Sequence, residues 1–366
     1  MIGQSLALCV PAVSVARDSS FAPRVLPDGW PVGTPEQTGF KREALINLVE
    51  LMSNGPNFPN VHALLIEYRG RLVFEHYWPG EDGEYGFVQH GPETLHDLRS
   101  ITKSVISLLL GKALEFADPS LLDQPVANFF PQFAAGTSAS HDFTLHDALT
   151  MTAGLEWNET IVPYDVRNDF VQMLTSSDPL RLLFEKPQID QAGQVWRYNS
   201  GLTELVAGII ERLTQRPLVE YAKDVLFRRL GIEHYEWWRP PEWPTDMFPS
   251  ASAGLRLRAR DLAKIGALLL GNGSWKNHEI IPSRWIGLAT STHVGRALNN
   301  YGYGYFWITG RHAGKHRLVM AAGHGDQRLF VLPDLGLAVT LFAGNYDRGS
   351  LDIGDRVLGR ILRARS

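Results

Sequence analysis

Residues 95–116 read LHDLRSITKSVISLLLGKALEF, an apolar stretch that contains Ser100 and Lys103. Apolar residues recur on one side of it, which predicts a helix from Leu98 to about Phe116 with Asp97 as its N-cap. That assignment puts Ser100 in the first helical turn, where free N–H groups and the positive end of the helix dipole favour a developing anion. Ser100 and Lys103 then share a face of the helix, because they are three residues apart.

Lys103 is the unusual residue of this helix, since Ile101, Val105 and Ile106 flank it. An ammonium group buried among such residues must be hydrogen-bonded or must lose its proton. A desolvated lysine is a competent general base for a nearby hydroxyl. A Ser-x-x-Lys spacing is weak evidence by itself, and the alternative is a capped helix start with a solvated lysine.

Outward from this helix, both ends of the chain predict strands. His62–Tyr68 and Arg71–Trp78 flank Arg69-Gly70 and are expected to form a hairpin. Further strands are expected late in the chain, at Tyr303–Thr309, Arg317–Ala321, Leu329–Leu332 and Leu337–Phe342. The residues between, Leu121–Leu230, are mainly helical in pattern.

This order predicts an α+β fold in which one antiparallel sheet, built from both chain ends and flanked by helices, carries an inserted mainly helical domain. We expect a loose N-terminal segment at 1–29, a sheet domain at 30–117 and 232–366, and the helical domain at 118–231. Other predicted helix features are Lys41–Met52, a capping box at Thr144–Asp147, Thr203–Leu213, Leu218–Leu230 closed by Gly231, Asp261–Leu270 and Leu351–Leu362.

Composition narrows the function. The 366 residues include 35 Lys+Arg and 39 Asp+Glu, a net charge of −4 without a basic block, which argues against nucleic-acid binding. The single cysteine, Cys9, excludes an internal disulfide framework, an iron–sulfur centre and a multi-cysteine zinc site. No apolar run reaches the ~20 residues of a membrane-spanning helix.

Localisation stays open at this stage. Leu6–Ala16 is apolar like a secretory signal, but Met1–Ser5 lacks the usual positive charge. A cytoplasmic location is therefore favoured over export, which would require residues 1–16 to be a cropped signal.

Several common catalytic motifs are missing from the sequence. It contains no Gly-x-Ser-x-Gly elbow, no phosphate-binding glycine loop and no His-Glu-x-x-His. His312 and His316 are four apart, but Gly314 between them favours a turn over a helical metal pair. The sequence therefore predicts neither a metal nor a cofactor.

Two later segments join Ser100 and Lys103 as candidates. Tyr198-Asn-Ser200 precedes a predicted helix, and Gly323-His-Gly-Asp-Gln327 leads into a predicted strand. Each also has a structural interpretation, with Tyr198 closing a loop, Ser200 capping the helix that starts near Thr203, and His324 lying in a turn.

Taken together, four stretches resemble the serine β-lactamase and penicillin-binding-protein superfamily over about Trp30 to Leu362. They are LHDLRSITKS (95–104), TLHDALTMTAGL (144–155), WRYNSGL (196–202) and GHGDQ (323–327). The likeness is greatest to the class C β-lactamase branch, which includes carboxylesterases and 6-aminohexanoate-dimer hydrolases.

The resemblance implies a role for each motif. Ser100 would be the nucleophile, Lys103 its proton partner, and Tyr198 the group that helps to protonate the leaving group. The backbone N–H groups of Ser100 and Gln327 would form the oxyanion hole. A covalent acyl-enzyme would form and then be hydrolysed, without metal or cofactor.

The sequence departs from the lactam-hydrolysing members at the residues expected to contact substrate. Ser200 replaces an asparagine, and His324-Gly325-Asp326 replaces Lys-Thr-Gly. Histidine is mostly neutral near pH 7, so a fixed positive charge for a substrate carboxylate is missing. These changes favour a small neutral ester or amide as substrate.

Two alternatives remain at this stage. One is a β-lactamase or D-peptide-processing enzyme, and the other is a non-catalytic binding protein on the same scaffold. The oligomeric state is open.

Overall fold

A computed structural model describes residues 23–134, 142–298, 300–346 and 353–365. Most of the predicted loose segment 1–29, including Cys9, lies outside the described residues. The helices are α1 (Arg42–Asn54), α2 (Ile101–Ala113), α3 (Pro131–Ala134), α4 (Leu145–Thr150), α5 (Asp169–Leu174), α6 (Pro179–Glu185), α7 (Gly201–Thr214), α8 (Leu218–Ala222), α9 (Ala259–Leu270), α10 (Ser283–Ala289) and α11 (Ile353–Ala364).

The strands lie towards the two ends of the chain, before α2 and after α8. They are β1 (Val61–Tyr68), β2 (Arg71–Tyr77), β3 (Pro79–Asp82), β4 (Gly86–Gln89), β5 (Leu95–Asp97), β6 (Glu236–Trp237), β7 (Leu255–Arg258), β8 (Ser274–Trp275), β9 (His278–Glu279), β10 (Val294–Leu298), β11 (Tyr301–Tyr303), β12 (Ile308–His312), β13 (His316–Gly323), β14 (Gln327–Leu332) and β15 (Leu337–Ala343).

The main sheet joins the two chain ends, as predicted. Its eight antiparallel strands run in the order β10-β11-β12-β13-β14-β15-β1-β2, so the early hairpin pairs with the last strand. All eight residues of β1 are buried because both sheet faces are covered. Leu64 and Ile66 face the core beneath α1 and α11, and Leu65 faces the larger core on the other side. The domain boundaries remain a prediction.

The start of α2 corrects one expectation. The helix begins at Ile101 rather than Leu98, and Asp97 is not its cap. Asp97 instead closes β5 opposite Arg256 of β7, and its carboxylate is ion-paired with Arg99 and Arg256, each at 2.9 Å. Ser100 occupies the N-cap position without a side-chain capping bond, so its hydroxyl is not committed to the helix end.

The predicted strand Tyr303–Thr309 is also wrong as a single element. β11 ends at Tyr303 and β12 begins at Ile308. Phe306 between them has φ +60° and donates its N–H to the Leu149 carbonyl at 3.2 Å. Contact with the helical region thus breaks the strand, an effect that local propensity does not contain.

Other local predictions are confirmed. Thr144 and Asp147 form the capping box at α4. Gly231, with φ +65°, ends the helical segment that starts with α8. Across the part of the chain that the structure describes, no helix combines the length and apolar character needed to cross a bilayer.

A buried histidine cluster links the main sheet to β5, just before α2. His62 Nδ1 and His96 Nε2 share a hydrogen bond of 2.8 Å, and the His90 ring stacks on His62 with centroids 4.0 Å apart. Burial, reinforced by the neighbouring histidines, lowers the pKa of His62 to about 2. Burial also lowers the pKa of His96 to about 4.

This cluster makes folding stability sensitive to acid. Below pH 6.5 the unfolded chain protonates His62 while the folded chain does not, so stability is lost as the pH falls. We expect the free energy of unfolding that wild type has over His62→Gln to shrink by about 2 kcal/mol between pH 7.5 and pH 5. Urea unfolding at both pH values measures it, with His278→Gln, an exposed histidine, as the control. A difference that does not change with pH would contradict the assignment.

Candidate active site

Ser100 and Lys103 meet at the start of α2. Lys103 is 2% exposed, and its Nζ donates to Ser100 Oγ at 3.1 Å and to the Ser252 carbonyl at 2.9 Å. The N–H groups of Ile101 and the residues that follow donate back to carbonyls from Leu98 onward, so the Ser100 N–H precedes this ladder. The structure thus places a hydroxyl, a buried amine and the end of a helix together.

The turn before Ser100 is held in a strained conformation. Arg99 has φ +49°, which an L-residue other than asparagine or aspartate seldom adopts. Its guanidinium pairs with Asp97 and lies 4.9 Å from the centroid of the Tyr346 ring. Gly323 packs against this turn so closely that a Cβ there would lie 2.3 Å from the Leu98 carbonyl oxygen. The end of β13 therefore packs directly against the turn before Ser100, and only glycine fits at position 323.

Tyr198 lies on the other side of Lys103. Its half-buried ring has the Lys103 Nζ 5.0 Å from its centroid, and Trp196 packs beside it at 6.2 Å. The three predicted catalytic side chains are therefore neighbours in space, although Tyr198 is 95 residues from Lys103 along the chain. The role of each remains a prediction.

Gln327 is the first residue of β14 and lies opposite Gly323 in the β13–β14 register. Its side-chain amide accepts from the Ala343 N–H at 3.2 Å and donates to the Gly325 carbonyl at 3.2 Å. These bonds fix the turn that connects the two strands. The backbone of Gln327 is thereby held beside Gly323, which itself touches the turn before Ser100.

The three residues before Gln327 differ in their surroundings. His324 is exposed on the cleft wall, with ring centroids 5.9 Å from Tyr164 and 5.7 Å from Tyr346. Gly325 has φ +86°, and a Cβ there would lie 2.5 Å from the Tyr346 ring. Asp326 is 3% exposed, and its carboxylate accepts from Asn345 at 3.2 Å and from Arg328 at 3.4 Å. Of the predicted substrate contacts, His324 faces the cleft and Asp326 points into the strands.

Ser200 makes a different contact from the predicted helix cap. It lies at the N-cap of α7 without a side-chain capping bond. Its Oγ donates to Glu159 Oε1 at 2.6 Å and its N–H donates to Glu159 Oε2 at 2.8 Å. Trp157 Nε1 also donates to Glu159, at 2.9 Å. Ser200 is buried and reaches the cleft through Glu159, which lines it.

Two buried glutamates were missed by the sequence analysis. Glu159 comes from a loop, and no periodicity distinguishes it there. Glu204 is fully buried within the apolar run of α7, so a signal was available: the argument that singled out Lys103 applies to it equally. Their positions, one beside Ser200 and one beside Ser252, make both part of the site's surroundings.

Ser100 opens into a cleft of about 720 Å³. Its walls are partly aromatic and apolar and partly acidic, comprising Tyr164, Phe170, Leu174, Trp238, Tyr346, Glu81, Asp82, Glu159, Arg99 and His324 among others. A second cavity of about 560 Å³ adjoins it and shares Arg99, Trp238 and Ala253. A concave, largely preformed site with a few convergent polar groups is typical of small-molecule binding.

Comparison with known proteins identifies the family to which the chain belongs. The sequence model of the β-lactamase family matches residues 56–358, and the chain belongs to that family. A 6-aminohexanoate-dimer hydrolase from Paenarthrobacter ureafaciens is 23% identical over 273 residues, covering 68% of this chain and 66% of the relative. The alignment thus takes in slightly less than two thirds of that relative's length.

Solved structures share the fold. EstCE1, a hydrolase with promiscuous acyltransferase activity, matches with a TM-score of 0.69 at 17% identity, covering 88% of this chain and 98% of that one. An octameric penicillin-binding protein homologue from Pyrococcus abyssi matches with a TM-score of 0.67 at 18% identity, covering 88% and 77%. The predicted fold class and superfamily are confirmed.

Proposed function

We propose that this protein is a serine hydrolase that forms a covalent acyl-enzyme on small ester or amide substrates. The observation that carries the proposal is the 3.1 Å hydrogen bond between the buried Lys103 amine and Ser100 Oγ, at a helix start open to the cleft. Burying a lysine costs free energy of folding, so its place beside Ser100 favours a catalytic use.

The proposed reaction has two halves. Lys103 takes the proton of Ser100 as Oγ attacks the substrate carbonyl, and the backbone N–H groups of Ser100 and Gln327 donate hydrogen bonds to the negatively charged oxygen that forms. The bond to the alcohol or amine breaks as Lys103 and Tyr198 return the proton to it. Water then attacks the acyl-Ser100 ester, and the acid is released with Ser100 regenerated.

The charges of the cleft support a neutral substrate. Glu81, Asp82 and Glu159 line it, and the positive charge of Arg99 is already paired with Asp97. A substrate carboxylate would therefore meet a negative wall with His324 where lactam-hydrolysing enzymes have lysine. The aromatic and apolar walls fit the uncharged acyl or leaving group of an ester or amide.

Intact-mass spectrometry tests the proposal. The protein is mixed with p-nitrophenyl butyrate, a linear butyryl anilide or benzylpenicillin and quenched within seconds. We expect the ester to add the mass of a butyryl group, which peptide mapping places on Ser100, because the leaving group departs before water attacks.

Other outcomes distinguish the alternatives. A stable penicillin adduct on Ser100 without acylation by the ester would favour a lactam- or D-peptide-processing enzyme. The absence of any adduct, together with no labelling by a serine-reactive phosphonate, would favour a non-catalytic binding protein and contradict the proposal.

A further inference from the structure

A buried carboxylate lies behind the proposed catalytic pair. Glu204 of α7 is 0% exposed and accepts three hydrogen bonds from one short segment. The donors are the N–H of Ala251 at 2.9 Å, the N–H of Ser252 at 3.0 Å and the hydroxyl of Ser250 at 3.3 Å. One of these residues, Ser252, also accepts a hydrogen bond from Lys103 through its carbonyl.

Ser252 connects Glu204 to the nucleophile. Its N–H donates to Glu204 while its carbonyl accepts from Lys103 Nζ at 2.9 Å, and the same Nζ lies 3.1 Å from Ser100 Oγ. Movement of this one peptide segment would move the lysine. Two residues, Ser252 and Lys103, therefore connect Glu204 to Ser100, and each link is a hydrogen bond.

Glu204 and Lys103 also interact electrostatically. Burial raises the pKa of Glu204 to about 7, opposed by its hydrogen bonds and by the charge of Lys103. The other titratable groups around the pair are Tyr198, whose ring faces Lys103, and Glu159, which holds Ser200 at the start of α7. This attraction adds to the hydrogen bonds that join Glu204 to Lys103 through Ser252.

We propose that Glu204 is a positioning residue that fixes the Ser252 carbonyl, and through it the Lys103 amine, against Ser100. This inference rests on the proposed acyl-enzyme chemistry and adds to it the residue that sets the location of the lysine amine. Glu204 touches neither substrate nor Ser100, and it acts through Ser252 and Lys103.

The same helix contains a matched control. Glu211 of α7 is half-buried and accepts the N–H of Leu218 at 2.7 Å, which is a purely structural contact in the described structure. Burial raises the pKa of Glu211 as well. Glu211→Gln therefore reproduces the loss of a backbone-binding carboxylate on α7 without changing the surroundings of Lys103.

The test measures the single-turnover acylation rate with p-nitrophenyl butyrate from pH 5 to pH 10. For Glu204→Gln we expect the plateau to fall by about tenfold to a hundredfold, since a misplaced group costs rate steeply. We also expect the part of the wild-type profile that follows the ionisation of Glu204, whose pKa burial raises to about 7, to be lost in Glu204→Gln, because that variant has no titrating group at this position. Glu204→Asp keeps a titrating carboxyl group at a different reach, so it should lower the plateau and retain that part of the profile.

The outcomes are decisive in either direction. A Glu204→Gln profile that retains the wild-type ionisation with a pKa of about 7, or the same change of profile in Glu211→Gln, would show a merely structural role and overturn the inference. If Glu204→Gln does not fold, Glu204→Asp decides, because a wild-type plateau in that variant would contradict positioning. Loss of the proposed function itself would show separately, as wild-type protein that forms no acyl-enzyme.

Discussion

Replacing Ser100 by alanine should abolish the turnover of p-nitrophenyl esters while the protein keeps its fold. We expect kcat to fall by about 10⁴-fold or more, as is usual when the nucleophile of a serine hydrolase is removed. The fold survives because the Ser100 hydroxyl does not cap α2, and the hydrogen bond with Lys103 is the contact that it gives up. The substitution should therefore lower turnover without unfolding the protein.

Steady-state kinetics and thermal unfolding of the same preparations measure both effects. Ser107→Ala is the matched control, since Ser107 lies further along α2 and its buried Oγ has no hydrogen-bond partner among the described residues. That variant should keep wild-type kcat and at least wild-type stability, because it removes an unpaired buried hydroxyl. Esterase activity that persists in Ser100→Ala would mean that another group attacks the carbonyl.

The main sheet could be predicted from the sequence, but the strained turn before Ser100 could not. The hairpin β1–β2 and the late strands are visible as alternating or continuous apolar runs, and their order forces the chain ends together. The left-handed backbone conformation of Arg99 could not be predicted from the sequence. Arginine has no preference for that conformation, and its ion pair with Asp97 forms only in the folded protein. Asp97 was therefore predicted as a cap when it is the end of β5.

The candidate site likewise contains some residues that could be predicted from the sequence and others that could not. Lys103 could be predicted because a charge in an apolar helix must have a reason, and the same logic would have found Glu204. Ser200 was predicted as a cap since local rules know only local acceptors, whereas Glu159 binds it from 41 residues away. Side chains that depend on long-range partners are beyond what periodicity and spacing contain.

Substitution of Lys103 distinguishes a base from a fixed positive charge. Arginine keeps the charge and the donor groups but cannot be deprotonated in a protein. If the amine must accept the Ser100 proton, Lys103→Arg and Lys103→Ala should both lower the acylation rate, by about 10²–10⁴-fold. Single-turnover kinetics with p-nitrophenyl butyrate measures this, with thermal unfolding to confirm that each variant is folded.

Lys103→Ala offers a second, independent readout. Truncation leaves a cavity lined by Ser100 Oγ, the Ser252 carbonyl and the face of the Tyr198 ring, which are the groups that the lysine amine contacts. A small amine such as ethylamine in solution should occupy this space and restore part of the acylation rate, in proportion to its unprotonated fraction. Rescue that follows the protonated fraction instead, or substantial activity in Lys103→Arg, would show that Lys103 acts as a charge. Because only a free electron pair can take the serine proton, the pH dependence of rescue identifies which form of the amine the reaction uses.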